Sequence, residues 1–152
     1  MPLTGVFPKN KNQKVLSLPF EVVYSKSSKL LQLKHNYNTK LLYGSNYGYR
    51  SGLNPVMENH LKDKASFLKK IIRYKKKLPI LDIGSNDGTF LNSFNGMNIY
   101  GVDPTIKKFK KNYKKNIKTI PYTFEKGYKR LSKKKFKLIT AVAMFYDLKD
   151  PE

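Results

Sequence analysis

The sequence predicts an α/β fold: a parallel sheet of about four strands, preceded by a small irregular segment with short β strands and by one helix. Two observations carry this prediction. An apolar run, Ile80–Ile83, enters a glycine-rich turn, and a second apolar run at residues 97–102 ends at a lone carboxylate, Asp103, about twenty residues after the turn begins. Apolar runs at residues 117–121 and 136–144 supply the third and fourth strands. This order of strand, turn, helix and acid-ended strand is typical of a nucleoside-binding βαβ unit.

The chain divides into three parts by its pattern of apolar, loop-forming and charged residues. Residues 1–45 predict a small irregular module with short β segments. Residues 46–78 predict a segment that leads into a helix, and residues 79–152 contain the nucleoside-binding unit.

The helix of the second part has clear start and stop signals. Asn54 is a good N-cap, and Pro55 fits the first helical position. The lysines at residues 75–77 favour the last turn, and Pro79 is expected to end the helix before the first strand. The apolar face of this helix consists of Met57, Leu61, Leu68 and Ile72.

Two shorter helices are expected after the first and second strands. Residues 89–94 would form the first of them, ended by the Asn-Gly pair that follows. The second has an apolar face with Ile106, Phe109 and Tyr113, opposite a solvated basic face. The basic face consists of Lys107, Lys108, Lys110, Lys111, Lys114 and Lys115.

The charge of the glycine turn indicates which nucleoside it favours. A dinucleotide site has the pattern G-x-G-x-x-G, which lets bare backbone N–H groups meet a pyrophosphate. Here Asn86 replaces the second glycine, and Asp82 and Asp87 would repel a pyrophosphate. S-adenosylmethionine (SAM) has no phosphate and carries a sulfonium and an ammonium group, which an acid at the end of the first strand attracts. Asp103 would then accept both ribose hydroxyls; the alternative is an ordinary strand-turn-helix without a ligand.

Four segments resemble the class I SAM-dependent methyltransferases, and more narrowly the family that methylates carbon in nucleotide-linked keto sugars. They are LDIGSNDGTFL at residues 81–91, GVDPT at 101–105, YGYRSGLN at 47–54 and AMFYDLKDP at 143–151. Four matches in the same order are more specific than any one of them. The resemblance runs along nearly the whole chain but covers only the first part of such an enzyme. It therefore implies a partial Rossmann-like class I methyltransferase sheet.

The resemblance also implies roles for individual residues. The SAM site would consist of Asp82, Gly84, Asn86, Gly88, Asp103, Phe145 and Tyr146. The substrate side would contain Tyr47, Tyr49 and Arg50, although core packing explains the two tyrosines nearly as well. The base of the resembled family is a histidine in a Glu-His pair downstream of the fourth strand, and nothing here corresponds to it, so the catalytic residue is unknown.

The missing base leads to an expectation about activity. The chain alone is expected not to turn over substrate, and a separately encoded C-terminal half is a candidate partner. A gene fragment without independent activity is the alternative.

In the resembled family the N-terminal region is a zinc-binding domain, with a C-x-x-C pair just before the LLQL segment. This chain has Ser25 and Ser28 at those positions and contains no cysteine. Hydroxyls are poor zinc ligands beside thiolates, so residues 1–45 are interpreted as a degraded zinc-binding domain that holds no metal. His35 is interpreted as a loop residue.

Charge is the main anomaly of the composition. The 152 residues include 31 Lys and Arg against 10 Asp and Glu, a formal net charge of +21. The runner-up interpretation is therefore a non-catalytic basic module that binds nucleic acid or another anion. Arginine, whose planar fork suits phosphate and guanine, occurs only at Arg50, Arg73 and Arg130, so we expect weak, nonspecific nucleic-acid adsorption.

No apolar stretch of the sequence approaches the roughly twenty residues that span a bilayer. The N-terminus also has no charged segment followed by an apolar one. Both observations predict a cytoplasmic protein that does not contact a membrane.

Overall fold

The computed structural model describes residues 7–35, 37–43, 47–131 and 133–148. The chain divides into two compact units, residues 1–48 and residues 49–152. Residues 49–78 belong to the same unit as the parallel sheet.

The N-terminal unit contains an antiparallel β-hairpin. Strand β1 (Val22–Tyr24) pairs with β2 (Leu31–Leu33), and a short helix, α1 (Thr39–Leu42), follows. The N–H of Lys29 donates to the Ser25 carbonyl over 2.9 Å, and the φ of Lys29 is left-handed at 59°. This contact closes the hairpin turn. The expected short β segments are confirmed.

The C-terminal unit is built on a four-stranded sheet of β3 (Ile80–Ile83), β4 (Ile99–Val102), β5 (Ile117–Ile120) and β6 (Leu138–Thr140). All pairs are parallel, and the strand order is β5-β4-β3-β6. The predicted α/β fold with a four-stranded parallel sheet is therefore confirmed, although β6 is shorter than the predicted range 136–144. The strand order reverses between β3 and β6. In open α/β sheets the ligand crevice lies at such a reversal, outside the carboxyl ends of the strands.

The longest helix, α2 (Pro55–Ile71), begins where the sequence predicts. The Asn54 side chain accepts hydrogen bonds from the N–H groups of Val56 (2.9 Å) and Met57 (3.4 Å). These bonds satisfy donors that the first turn of a helix otherwise leaves without a partner.

The predicted end of α2 is wrong. The helix ends at Ile71, and the lysines at residues 75–77 lie beyond it. Arg73 has a left-handed φ of 49°, and the N–H groups of Arg73 and Tyr74 donate to carbonyls of the last helical turn over 3.2 and 2.9 Å. This is a Schellman motif without its usual glycine, so the sequence contains no stop signal there. The Tyr74 ring packs edge-to-face against Phe94, with ring centroids 5.5 Å apart.

The helices after β3 and β4 are shorter than predicted. Residues 89–94 contain only the 3₁₀ turn Leu91–Ser93, and α3 (Ile106–Phe109) continues as the 3₁₀ turn Lys110–Asn112. The last α-helix among the described residues, α4 (Phe124–Gly127), is also short and follows β5. In residues 89–94, Phe90, Leu91 and Phe94 are buried, and Thr89, Asn92 and Ser93 are half-buried. The basic face predicted after β4 is confirmed, because all six of its lysines are exposed.

Two apolar clusters form the core of the C-terminal unit, because consecutive strand residues point to opposite faces of the sheet. One cluster joins the sheet to α2 and consists of Leu61, Ala65, Ile80, Phe90, Leu91, Phe94, Ile99, Ile106, Tyr113 and Ile117. The other consists of Leu81, Ile83, Tyr100, Val102, Ile120 and Leu131. No helix among the described residues is long and apolar enough to cross a lipid bilayer.

Candidate functional site

Three carboxylates are buried around the turn that leaves β3. Asp82 and Asp87 are 2% exposed, and Asp103, just after β4, is 8% exposed. Ionised carboxylates are rarely so deeply buried without compensation. The contacts of each carboxylate therefore show how the structure compensates its burial.

Asp82 lies at the reversal of strand order. It pairs in register with Thr140 of β6, whose Oγ1 donates to Asp82 Oδ1 over 2.7 Å. The pKa of Asp82 is raised to about 7: burial is the main cause, the Thr140 hydrogen bond partly opposes it, and the charge of Asp103 adds to it. Asp82 is therefore half protonated near neutral pH, and a nearby cation would favour its ionised form.

Asp103 holds the glycine turn to the end of β4. Its Oδ2 accepts from the Asn86 N–H over 3.0 Å, and its Oδ1 accepts from the N–H and Oγ1 of Thr105 over 2.6 and 2.5 Å. A carboxylate offers about four acceptor positions. The described contacts use three of them, so one acceptor position remains on Oδ2. The sequence predicts that both ribose hydroxyls donate to Asp103, whereas this position accepts one.

Asp87 faces the segment that precedes α2. Its Oδ2 accepts from the Gly52 N–H over 3.1 Å, and the Arg50 Nε lies 3.6 Å from the same oxygen. Its Oδ1 accepts from the N–H and Oγ1 of Thr89 over 3.2 and 2.6 Å. The Arg50 guanidinium also lies over the Phe109 ring, 5.3 Å from its centroid. Arg50 thus compensates a buried carboxylate, in addition to any role toward a substrate.

The two predicted glycines of the turn have left-handed φ angles, 73° at Gly84 and 83° at Gly88. A Cβ at Gly84 would lie 2.5 Å from the Met144 Cγ, and a Cβ at Gly88 would lie 2.8 Å from the Tyr113 ring. Glycine is therefore required by the backbone and by close neighbours at both positions.

Asn86 also has a left-handed φ, 48°, which asparagine tolerates better than most residues. Its Oδ1 accepts from the Ser51 N–H over 3.1 Å, and its Nδ2 donates to the Tyr49 carbonyl over 3.0 Å. Asn86, which stands at the second glycine position of a dinucleotide motif, therefore holds the backbone of residues 49–51 against the turn.

The other predicted site residues are more exposed to solvent. Phe145 and Tyr146 lie in a 3₁₀ turn, Phe145–Asp147, and are 55% and 76% exposed. Tyr49 is 46% exposed, and its backbone carbonyl accepts from Asn86 of the turn. Tyr47 belongs to the N-terminal unit, where its ring packs edge-to-face on Tyr43 at 5.2 Å. The end of the fourth resembled segment, residues 149–151, lies outside the described residues.

Several residues that support the turn were not predicted from the sequence. They are Thr105, Tyr113, Thr140 and Met144. Burial raises the pKa of Tyr113, so its hydroxyl stays protonated and donates to the Asn86 carbonyl over 2.7 Å. The nearest sequence signal for Met144 was its position at the end of the predicted fourth strand, 136–144. In the structure β6 ends at Thr140 and pairs with β3, and Met144, four residues further on, lies close to Gly84.

A polar groove of about 510 Å³ lies beside the turn in the C-terminal unit. Its lining mixes cations with carboxylates and amides, including Arg50, Lys62, Lys69, Asp87 and Asn112. The segment that precedes α2 thus forms part of its wall, through Arg50 and Gly52. A lining of this kind suits a polar ligand rather than an apolar one.

No protein-family model matches the chain, and a search of curated proteins finds no match. Within the described parts of the chain, no group of three or more acidic or histidine side chains could hold a metal ion. At the positions of the resembled cysteine pair, the Ser25 Oγ accepts from the Ser28 N–H over 3.3 Å.

Proposed function

We propose that the turn after β3, residues 84–88, binds SAM together with the carboxylates around it. We further propose that the chain is the SAM-binding part of a methyltransferase. By the sequence resemblance, the methyl acceptor is carbon in a nucleotide-linked keto sugar. The observation that supports the proposal best is the burial of Asp82, Asp87 and Asp103 around one turn at the reversal of strand order.

The charge balance of the turn favours a cationic ligand. Asp87 has Arg50 beside it, whereas Asp82 and Asp103 are held by neutral hydroxyl and N–H donors. A sulfonium and an ammonium would relieve the mutual repulsion of these two carboxylates, and a pyrophosphate would increase it. SAM fits this arrangement, and dinucleotides do not.

The residues that would hold SAM are Asp82 on its cationic end and Asp103 on its ribose. When bound, SAM supplies a methyl group on a sulfonium leaving group. The protein then needs mainly to orient the acceptor and to exclude water. Arg50 and the groove beside it are suited to orient a polar acceptor, since a guanidinium pairs well with phosphate.

Calorimetric titration tests the proposal. We expect the purified chain to bind SAM and S-adenosylhomocysteine, and to bind ATP and NAD at least about tenfold more weakly because of their phosphates. Equal affinity for ATP and SAM, or no binding of SAM at millimolar concentration, would contradict it.

The raised pKa of Asp82 predicts a pH dependence with opposite signs for binding and stability. SAM affinity should rise from pH 6 to pH 8, by up to about tenfold per pH unit below the pKa, because the cation favours ionised Asp82. Folding stability should fall as pH rises from about 4 to about 7, because the folded state holds a proton that the unfolded chain has lost.

Titrations and urea unfolding between pH 5 and pH 8 measure both slopes. Asp82→Asn keeps an acceptor for Thr140 and should flatten both of them. An affinity that is independent of pH in the wild type would count against Asp82 as a SAM ligand.

A second candidate, nonspecific anion binding, is favoured by the six exposed lysines between residues 107 and 115 that form the basic face. If all six contact phosphates, DNA affinity should fall by about 10³-fold between 50 and 200 mM salt, with no preference among sequences. Fluorescence polarisation with two unrelated duplexes measures this. Substituting Lys107, Lys111 and Lys115 with glutamine should reduce the salt slope by about half. A salt-resistant, sequence-selective complex would instead favour a dedicated nucleic-acid function.

A further inference from the structure

The Tyr113 hydroxyl belongs to a short buried chain of hydrogen bonds that ends on the glycine turn. It donates to the Asn86 carbonyl over 2.7 Å and lies 2.9 Å from the Ser85 Oγ. A phenol has one hydrogen and a carbonyl has none, so Ser85 must donate to the Tyr113 oxygen. Both hydroxyl residues are buried, which limits competition from water. The chain of donors therefore runs from Ser85 through Tyr113 to Asn86.

Two glycines leave the space that this chain needs. A Cβ at Gly101 of β4 would lie 2.6 Å from the Ser85 Oγ, and a Cβ at Gly88 would lie 2.8 Å from the Tyr113 ring. Side chains at either position would displace the ring or the hydroxyl that donates to it. The sequence thus has glycine at both places where Tyr113 or its donor approaches the backbone.

Asn86 is held on both of its peptide groups, and its left-handed φ of 48° is unfavourable for a residue with a Cβ. Asp103 Oδ2 accepts from its N–H over 3.0 Å, which holds the peptide group before it. The Tyr113 hydroxyl holds the peptide group after it. The Thr105 Oγ1 lies 3.4 Å from the same carbonyl, but its one hydrogen is directed to the charged Asp103 Oδ1 at 2.5 Å. Tyr113 is therefore the main anchor of the Asn86 carbonyl.

We infer that Tyr113 is a positioning residue of the SAM site and that it contributes to selectivity for the ribose hydroxyls. The inference rests on the proposed function of the turn. With its carbonyl held, Asn86 keeps its N–H on Asp103 Oδ2, and the acceptor position that remains on this oxygen keeps its direction. Without the Tyr113 bond, Asn86 relaxes from the left-handed conformation and its N–H leaves Asp103. The Tyr113 hydroxyl thus acts on the ligand through these two residues.

Hydrogen exchange of the free chain tests the positioning step without a ligand. Tyr113→Phe keeps the ring against Gly88 and removes only the hydroxyl. We expect it to speed exchange of the Asn86 amide by about tenfold and to leave the amides of β3 unchanged. Ser85→Ala is the matched control, because it also removes a buried hydroxyl but keeps the bond from Tyr113 to Asn86. It should change neither exchange rate.

Calorimetry tests the effect on selectivity, with S-adenosylhomocysteine and an analogue that lacks both ribose hydroxyls as probes. The wild type should prefer S-adenosylhomocysteine by at least about tenfold, because a hydrogen bond to a carboxylate is strong. Tyr113→Phe should bind it about fivefold more weakly and bind the analogue with unchanged affinity, so the preference shrinks. A purely structural loss would weaken both ligands equally. Ser85→Ala should keep the preference of the wild type.

The outcomes separate this inference from the proposed function. Failure of the wild type to bind S-adenosylhomocysteine, or equal binding of the analogue, would contradict the proposed site and this inference with it. A wild-type preference that Tyr113→Phe keeps in full would overturn the inference alone. Exchange of the Asn86 amide at the wild-type rate in Tyr113→Phe, or an equal loss of preference in Ser85→Ala, would do the same.

Discussion

Asp103→Ala is expected to weaken SAM binding by about 1.5–3 kcal/mol, or roughly 10- to 100-fold. The substitution removes the charged acceptor for a ribose hydroxyl. It also leaves the N–H groups of Asn86 and Thr105 without their acceptor, so the turn itself should lose stability. Calorimetry at a temperature well below the unfolding midpoint of the variant separates the two effects.

Two control variants show which effect dominates. Thr105→Val removes the hydroxyl bond to Asp103 but keeps the carboxylate, so it should lower stability with little loss of affinity. Asp63→Ala removes an exposed carboxylate on α2 and controls for net charge. Equal SAM affinity in wild type and Asp103→Ala would rule out the ribose role of Asp103.

Gly88→Ala is expected to destabilise the chain by about 2–4 kcal/mol. Part of the cost is the left-handed φ of 83°, which disfavours any side chain with a Cβ. The rest comes from the Tyr113 ring, which would lie 2.8 Å from the new Cβ. The ring cannot move away cheaply, because its hydroxyl bonds to the Asn86 carbonyl and lies 2.9 Å from the Ser85 Oγ.

A double-mutant cycle with Tyr113→Ala isolates the contribution of the ring. In that background Gly88→Ala should cost only the backbone term of about 1–2 kcal/mol. Urea unfolding provides the free energies. An identical cost in both backgrounds would show that the ring contact is not the source of the strain.

Local signals predicted the parts of the fold that local chemistry determines. Asn54 and Pro55 defined the start of α2, and the apolar runs at residues 80–83 and 117–121 located two strands. The end of α2 was not predictable, because Arg73 adopts a conformation that usually requires glycine and Tyr74 is held by a distant contact with Phe94. The helix predicted at residues 89–94 was too long, because the structure has only the 3₁₀ turn Leu91–Ser93 there, in a segment without a fully exposed residue.

In the candidate site, too, local features were predicted and distant contacts were not. The sequence spacing predicted that Asp82 and Asp103 flank one turn, since Asp82 lies near the end of β3 and Asp103 directly follows β4, and a βαβ unit makes these strands neighbours. It did not predict that Asp87 pairs with Arg50, or that Asn86 holds the backbone at Tyr49, because both contacts join residues 37 positions apart in the chain. The sequence assigned Arg50, Asn86 and Tyr49 to ligand sites, and the structure adds internal partners for them.

The central claim is that the carboxylate-lined turn is the place where SAM binds. An amide NMR titration of the ¹⁵N-labelled chain with SAM locates the ligand directly. We expect the largest shifts at residues 82–88 and 103–105, with small shifts along α3 and its lysines. Shifts that are absent at millimolar SAM, or that concentrate on the lysine-rich face and leave residues 82–88 unchanged, would contradict the claim.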